Sequence, residues 1–213
     1  MNAEIVTLRS SGDNYIYLIV AGDAAAAVDP GEAEPVEREV ARRGLGLAAV
    51  LLTHHHADHT AGAGALKRRY GSAVIGPAGA AGVDRAPADD AAWPLGPAAL
   101  RCLHVPGHTA GHLAFLVDDA AVFTGDTLFA GGCGRIFECD AARMWRSLVK
   151  LGRLPDHLQV YCGHEYTVEN YEFAHSLLSE DAAIAGRLAE VRMLIAEGKP
   201  TVPSTIGMER RRR

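Results

Sequence analysis

The chain has 213 residues, enough for one large domain or for a domain with a small appendage. Hydrophobic residues make up 48% and charged residues 22%, which is ordinary for a globular protein, and the formal net charge of −5 argues against a general nucleic-acid-binding protein. The N-terminus lacks a basic start followed by a long apolar run, and no apolar stretch approaches the ~20 residues that span a bilayer. The sequence therefore predicts neither a signal peptide nor a membrane helix.

The first half of the chain alternates short apolar runs with segments of helical spacing. The apolar runs predict strands over Glu4–Leu8, Asn14–Val20, Ala24–Val28, Leu47–Leu52 and Ala73–Ile75. The helical spacing predicts helices over Glu32–Arg43 and Thr60–Tyr70, each followed by a glycine. Residues Gly76 to Pro97 are rich in Ala, Gly, Pro and Asp, which predicts loops and turns.

The second half continues with strands and ends in helices. Strands are predicted over Leu100–Val105, His112–Val117, Ala121–Thr124 and Leu158–Tyr161. Helices are predicted over Asp140–Leu151, with Asp140 as the N-cap, and over Val168–Leu178 and Ala182–Ala196. Two β-rich halves with interspersed helices indicate two packed sheets flanked by helices.

The heptapeptide Thr53–His59, Thr-His-His-His-Ala-Asp-His, is the densest group of potential metal ligands in the chain. His54 and His56 are two residues apart, so on an extended segment their imidazoles point the same way. Asp58 and His59 follow where the chain turns into a helix. Imidazole and carboxylate ligands suit zinc, with iron and manganese possible. A solvated histidine-rich run or a weak adventitious metal site is the alternative.

Three further segments place ligand-type side chains after predicted strands. They contain His108, Asp126 and His164. Taken separately, each histidine predicts a hydrogen-bonded loop residue and Asp126 an ordinary Asx turn. Loops at strand ends can present side chains to one pocket, so the joint pattern predicts a metal site.

This ligand set resembles that of the metallo-β-lactamase superfamily. The words between the ligands resemble the glyoxalase II, or hydroxyacylglutathione hydrolase, family, notably Gly132-Cys133-Gly134-Arg135 and Cys162-Gly163-His164-Glu165-Tyr166-Thr167. The similarity extends through Thr201–Thr205 and covers nearly the whole chain. It implies an α/β (α+β) fold, a four-layer αββα sandwich with a short helical C-terminal extension. It also implies a catalytic domain over residues 1–165 and a shortened helical region over 166–213 that contributes to substrate binding.

The resemblance implies two divalent metal ions, most readily Zn²⁺, with Fe or Mn possible. One ion is expected at His54, His56 and His108, the other at Asp58, His59 and His164, with Asp126 bridging both. A metal-bound hydroxide is then the expected nucleophile, with Asp58 and Asp126 as the catalytic carboxylates. Asp29 either orients a ligand histidine through its other ring nitrogen or is a simple turn aspartate.

The implied reaction is hydrolysis of S-2-hydroxyacylglutathione, typically S-D-lactoylglutathione, to glutathione and a 2-hydroxy acid, the second step of methylglyoxal detoxification. Arg135, Phe137 and Tyr166 match substrate-binding positions, although Phe137 stands where some relatives carry a tyrosine. Relatives continue past Thr201–Thr205 into a segment with further basic residues that bind glutathione. Here Arg210–Arg213 are expected to replace that segment in part.

Other functions remain open at this point. A glutathione persulfide dioxygenase with mononuclear iron is one alternative, disfavoured by Ile136-Phe137-Glu138 where its relatives carry Thr-Asp-Phe. A lactonase or β-lactamase with the same metal centre is another, and a non-catalytic metal-binding module is the last. No nucleic acid or membrane partner is predicted, and the sequence does not indicate an oligomeric state.

The cysteines bear on the cellular compartment. Cys102, Cys133, Cys139 and Cys162 form no CxxC pair and do not indicate a disulfide framework. Reduced thiols predict a cytoplasmic protein, and Cys133 and Cys162 are expected to be packed rather than catalytic.

Overall fold

The computed structural model describes residues 3–10 and 12–210. The strands are β1 (Glu4–Arg9), β2 (Tyr15–Ala21), β3 (Ala24–Val28), β4 (Gly46–Leu51), β5 (Ala73–Ile75), β6 (Ala92–Leu95), β7 (Ala98–His104), β8 (Leu113–Val117), β9 (Ala121–Gly125), β10 (Leu128–Phe129), β11 (Gly132–Cys133), β12 (Gln159–Cys162) and β13 (Ser204–Thr205). The helices are α1 (Glu34–Arg43), α2 (Ala57–Thr60), α3 (Ala63–Tyr70), α4 (Ala141–Leu151), α5 (Thr167–Leu177), α6 (Ala182–Ala196) and α7 (Ile206–Arg210).

In the described part of the chain the strands form two large sheets and a small hairpin. The first sheet has the order β1-β2-β3-β4-β5, with antiparallel pairing up to β3 and parallel pairing from β3 to β5. The second has the order β13-β12-β9-β8-β7-β6, in which β12 and β9 run parallel. Strands β10 and β11 pair as the hairpin. Parallel neighbours need crossover connections, and α1 and α3 provide them in the first sheet.

Three hydrophobic clusters define the layers. Tyr17 and Ile19 of β2 pack with Phe115 and Phe123 of the second sheet, so this cluster lies between the sheets. Their neighbour Leu18 faces the opposite way, because successive strand side chains alternate, and packs in the cluster that holds α1 and α3. The third cluster covers the outer face of the second sheet with α4. Each fully buried large side chain contributes about 1.5–3 kcal/mol. The predicted αββα sandwich is confirmed.

The predicted helix over Thr60–Tyr70 is divided in the structure. Helix α2 ends at Thr60, and α3 begins at Ala63. Gly62 lies between them, where a Cβ atom would come within 2.6 Å of the Pro30 carbonyl oxygen. The backbone of this turn packs directly on the loop after β3, and only glycine permits that approach.

The prediction that residues 76–97 form only loops and turns was wrong for Ala92–Leu95, which is strand β6. This segment contains Pro94, which cannot donate a ladder hydrogen bond and therefore obscured the strand pattern. The structure places β6 at the edge of its sheet, paired with β7 alone, where a proline is tolerated.

The C-terminal helices form a small unit of their own. Tyr171 of α5 packs with Ile184, Leu188 and Val191 of α6. Glu165, just before α5, accepts hydrogen bonds from the Tyr15 hydroxyl and from the Thr201 backbone N–H, the latter at 2.9 Å. The carboxylate therefore ties this unit to β2. No helix among the described residues has both the length and the apolar character needed to cross a membrane.

Candidate metal centre

The candidate site lies where the carboxyl ends of parallel strands meet. Asp29 follows β3, the segment Thr53–His59 follows β4, Asp126 follows β9 and His164 comes two residues after β12. Strand ends at one edge of a sheet bring side chains from distant parts of the sequence together. The structure brings together all seven ligand residues predicted from the sequence.

The first ligand group consists of His54, His56 and His108, whose ligand atoms lie within 4.8 Å of one another. The Nε2 atom of His54 lies 3.1 Å from Nδ1 of His56, and Nε2 of His108 lies 3.1 Å from the same atom. His54 and His108 are buried, whereas His56 is half-buried and faces the cavity.

The second ligand group consists of Asp58, His59 and His164. The Nε2 atoms of the two histidines lie 3.2 Å apart, and Asp58 Oδ2 lies 3.3 Å from Nε2 of His59. Asn14 holds the Asp58 carboxylate by donating to Oδ2 at 3.0 Å.

Asp126 lies between the two groups. Its Oδ2 atom is 3.5 Å from Nε2 of His108 and 3.3 Å from Nε2 of His164. Its Oδ1 atom is 3.6 Å from Nε2 of His59. A Cβ atom at Gly163 would come within 2.3 Å of that oxygen, so glycine at this position makes room for the carboxylate.

The outer ring nitrogens of four histidines are each held by an acceptor. His108 Nδ1 donates to the Arg135 carbonyl at 2.8 Å, and His164 Nδ1 donates to Asp13 at 2.9 Å. His59 Nδ1 donates to Asp29 at 3.2 Å, and His54 Nδ1 donates to the Thr53 hydroxyl at 3.0 Å. A proton on Nδ1 leaves the Nε2 lone pair directed into the site, as a metal ligand requires.

Asp29 is part of this outer support and is not a simple turn residue. It is buried and accepts hydrogen bonds from the Thr53 N–H at 2.7 Å and the Thr53 hydroxyl at 2.6 Å. One carboxylate therefore orients both His59 and, through Thr53, His54. The grouping of Asp29 with His54 and His59 is a weaker candidate for a metal site, because the Asp29 oxygens are already engaged.

The electrostatics of the two groups differ. Burial and the surrounding imidazoles hold the pKa of His54 well below its usual range, and burial also lowers the pKa of His56. These histidines are neutral, the form in which imidazole binds metal. Burial opposes charge on His59, but hydrogen bonds with Asp29 and Asp58 raise its pKa to about 10. The second group therefore stabilises positive charge.

Two observations show that these residues fit divalent cations. Inner imidazole nitrogens face one another at 3.1–3.2 Å, where two lone pairs repel unless a cation or proton lies between them. The Asp126 Oδ1 atom is buried and has no hydrogen-bond partner among the described residues. Buried polar atoms without partners are costly, and a cation between the groups would satisfy both features. The chain thus contains His/Asp groups able to bind divalent metal ions.

A cavity of about 570 Å³ opens over both groups. Five of the seven predicted ligand residues line it, together with the predicted substrate residues Arg135, Phe137 and Tyr166. Tyr166 stacks on His164 with ring centroids 4.7 Å apart, and Phe137 contacts His108 edge-on at 5.2 Å. Sequence reasoning missed the remaining wall, which is formed by Phe129, Cys133, Gly134, Glu169 and Asn170.

Comparison with known proteins agrees with this arrangement. The sequence profile of the metallo-beta-lactamase superfamily matches residues 11–99 and 95–164, and that of the hydroxyacylglutathione hydrolase C-terminus matches residues 165–212. The hydroxyacylglutathione hydrolase of Cupriavidus taiwanensis is 48% identical over 213 residues, which cover 93% of this chain and 80% of the relative. The chain belongs to the hydroxyacylglutathione hydrolase family of the metallo-β-lactamase superfamily.

Solved structures share the fold. The crystal structure of ETHE1 from Myxococcus xanthus matches with a TM-score of 0.70 at 35% identity, covering 76% of each chain. The structure of TTHA1623 in a di-iron-bound form matches with a TM-score of 0.64 at 29% identity, covering 76% of this chain and 91% of that one. The predicted fold class and family are therefore confirmed.

Two residues that hold ligand-type side chains of the candidate site could not be recognised as site residues from the sequence. Asp13 and Asn14 lie in the turn between β1 and β2, where Asp13 holds His164 and Asn14 holds Asp58. Short polar residues are common in turns, so the local pattern gave no reason to assign them to the site. Only the folded chain brings this turn to His164, 151 residues away.

The remaining histidines and cysteines have mixed outcomes. His112 is buried and accepts a hydrogen bond from the Asp126 N–H at 3.2 Å, so it holds the loop that carries Asp126. His55 lies outside both ligand groups. Cys162 is buried, but the prediction of a packed thiol was wrong for Cys133, which is exposed on the cavity wall.

The basic C-terminus is described only as far as Arg210. The Arg210 guanidinium pairs with Asp156, and Arg210 is not part of the cavity wall. Arg210 therefore does not replace a substrate-binding residue in this structure. The predicted contribution of residues 211–213 lies outside the described residues.

Proposed function

We propose that the chain is a metal-dependent thioester hydrolase that cleaves S-2-hydroxyacylglutathione, typically S-D-lactoylglutathione, to glutathione and a 2-hydroxy acid. The observation that supports this proposal is the cavity in which two groups of potential metal ligands, with Asp126 between them, lie beside Arg135. The curated relative at 48% identity is named for the same activity. The reaction is the second step of methylglyoxal detoxification.

The proposed metal sites are His54, His56 and His108 for one ion and Asp58, His59 and His164 for the other, with Asp126 shared. When bound, divalent ions supply Lewis acidity that makes water acidic enough to attack near neutral pH and polarises a carbonyl group. Zinc is the proposed metal, because three neutral imidazoles in one group suit it. The related TTHA1623 structure is of a di-iron-bound form, so iron belongs in the same test.

The residues of the chain position these groups. Asp126 extends one carboxylate oxygen towards His108 and His164 and the other towards His59, which fixes the separation of the two groups. Burial opposes ionisation of Asp126, but its hydrogen bond with His164 lowers its pKa, so the carboxylate stays charged. No serine or cysteine nucleophile is required.

Substrate binding is assigned to the cavity wall beyond the metal groups. Arg135 can donate charge-assisted hydrogen bonds to a carboxylate of the tripeptide. Phe129 and Phe137 form apolar surface beside the ligands, which limits access of bulk water to the reacting carbonyl group. Tyr166, which stacks on His164 and lines the cavity, adds a hydroxyl that can contact the tripeptide.

We also propose, as predicted, that residues 1–165 form the catalytic domain and that residues 166–213 contribute to substrate binding. All seven proposed ligands come from the first part, and Tyr166, Glu169 and Asn170 of the second part line the cavity. The second part thus forms one wall of the proposed substrate site. The predicted cytoplasmic location is also retained as a proposal, since a protein whose thiols stay reduced suits that compartment.

The decisive experiment combines kinetics with metal analysis on one preparation. The expected result is release of glutathione from S-D-lactoylglutathione by protein that holds two metal ions per chain. Oxygen uptake with glutathione persulfide, lactone hydrolysis and β-lactam hydrolysis are measured in parallel to test the alternative activities. A metal-replete protein that releases no glutathione, or that consumes oxygen with the persulfide, would contradict the proposal.

A further inference from the structure

The loop of residues 134–140 carries two of the proposed substrate residues, Arg135 and Phe137. It connects β11 to α4 and has neither helix nor strand. Its first half is fixed to the first ligand group by backbone groups. The Arg135 carbonyl accepts from His108 Nδ1 at 2.8 Å, and the Phe137 N–H donates to the His108 carbonyl at 3.2 Å.

In the second half of the loop, Asp140 caps α4, and Glu138 makes the side-chain contacts to the ligand-bearing segments. Its Oε2 atom accepts a hydrogen bond from the Ala110 N–H at 2.8 Å. Its Oε1 atom lies 3.1 Å from Nε2 of His55. Ala110 comes two residues after His108, and His55 stands between the ligands His54 and His56. A single carboxylate therefore connects the loop to both segments that supply the first ligand group.

We infer that Glu138, with His55 as its partner, is a positioning residue that holds Arg135 and Phe137 against the first ligand group. It thereby determines the affinity for the substrate. The inference rests on the proposed function, in which those two side chains contact the thioester. It also gives a role to His55, which contacts the loop of residues 134–140, while its two neighbours, His54 and His56, face the site.

Geometry indicates an effect on binding more than on chemistry. The side chains of His55 and Glu138 are 45% and 38% exposed, so their loss leaves no buried group without a partner. The two backbone contacts to His108 remain when Glu138 is removed, so His108 stays oriented. What is lost is the side-chain restraint on the loop between Phe137 and the cap that Asp140 forms on α4. A less restrained loop must be ordered when substrate binds, and that raises KM.

The test uses Glu138→Ala and Glu138→Gln, each alone and in an Arg135→Ala background. Glu138→Ala is expected to raise KM for S-D-lactoylglutathione roughly five- to tenfold, the scale of one half-exposed contact with His55 plus one charge-assisted hydrogen bond from the Ala110 N–H. The kcat value and the metal content are expected to stay within about twofold, because the ligand set is intact. Glu138→Gln keeps an acceptor for Ala110 and is expected to fall between the wild type and Glu138→Ala.

The double variant separates positioning from a general loss of structure. If Glu138 acts by placing Arg135, then removing Glu138 has a smaller effect on KM once Arg135 is absent. Additive effects of the two substitutions would overturn the inference. So would an unchanged KM, or a joint fall of kcat and metal content in Glu138→Ala. Glu34→Ala serves as the control, because it removes an exposed glutamate from an ion pair with Arg38 on α1.

Two further readouts do not depend on turnover. Calorimetry with S-methylglutathione, a thioether that cannot be hydrolysed, is expected to show weaker binding to Glu138→Ala by the same factor as the rise in KM. Hydrogen exchange in a peptide covering residues 134–140 is expected to be faster. If the wild type neither hydrolyses the thioester nor binds the thioether, the proposed function fails, and the exchange data alone decide the part of the inference that concerns the loop. Unchanged exchange in Glu138→Ala would overturn that part.

Discussion

The metal-ligand segments and the substrate wall of the same cavity are built in different ways. His54, His59 and His108 are buried, and each is held by an acceptor behind its ring. On the substrate wall, which adjoins the first ligand group, Arg135 is exposed, and Phe137 is 61% exposed on a loop with neither helix nor strand. The ligands of a catalytic metal ion must be held in place to within a fraction of an ångström. The side chains that bind a flexible peptide, in contrast, can move and adapt to it.

This difference predicts which property of the enzyme a substitution alters. A change among the buried ligands or their acceptors is expected to alter metal binding and turnover together. A change on the wall is expected to alter substrate affinity with little effect on turnover, because the lost contact is the same in the ground and transition states.

The largest expected effect comes from Asp126→Ala. Removing the shared carboxylate leaves both ligand groups without their common partner, and loss of metal-ion catalysis costs several kcal/mol, or about a thousandfold in kcat. Metal analysis, circular dichroism and thioesterase rates on the same samples test this. Asp126→Asn keeps the shape of the side chain and controls for packing. Near-normal turnover in the folded alanine variant would mean that Asp126 does not link two ions.

The next effect concerns Asp13, the acceptor behind His164. Asp13→Ala removes the hydrogen bond that orients this ring, and the loss of such a partner lowers metal affinity by about 10–100-fold. The expected result is weaker binding of one ion and normal binding of the other, measured by competition with a chelator. Asp119→Ala removes an aspartate from a more exposed pair with a histidine, His157, away from the site, and is the control. Equal affinities for the wild type and Asp13→Ala would show that His164 needs no orientation from the turn.

On the substrate wall, Arg135→Ala is expected to raise KM for glutathione thioesters about tenfold, the value of one charge-assisted hydrogen bond, while kcat changes little. Steady-state kinetics with S-D-lactoylglutathione and with a thioester that lacks the peptide carboxylates measure this difference. The second substrate is expected to be insensitive. Arg146→Ala on α4, outside the cavity wall, controls for the loss of one positive charge. An unchanged KM would point to a different thioester as the substrate.

The smallest effect is expected at the C-terminus. Arg210 forms an exposed ion pair with Asp156, and such pairs contribute at most about 1 kcal/mol. Deleting residues 211–213 and replacing Arg210 with alanine should therefore change KM by less than about twofold. The same two substrates provide the measurement. A KM increase as large as that of Arg135→Ala would place the arginine tail in the substrate site.

Much of the fold followed from local patterns. The strand over residues 24–28 and the helix over residues 182–196 were predicted with their observed ends, because an apolar run marks the first and helical spacing marks the second. The edge strand β6 was missed, because its proline hides the pairing pattern. The single predicted helix after the His-rich segment was wrong, because its break depends on contact between Gly62 and the loop after β3.

The sequence by itself determined which residues are the candidate ligands, their order and their positions after strands, because the His-rich segment and the resemblance to a known family single them out. It left the role of Asp29 open and gave no role to Asp13, Asn14 or Glu138. Only the tertiary structure decided these roles, since each residue acts on a partner that is distant in the chain. The separations are 24 residues from Asp29 to Thr53, 151 from Asp13 to His164, 44 from Asn14 to Asp58 and 28 from Glu138 to Ala110. Hydrogen bonds between separate loops depend on how the two sheets pack, and no local spacing encodes that.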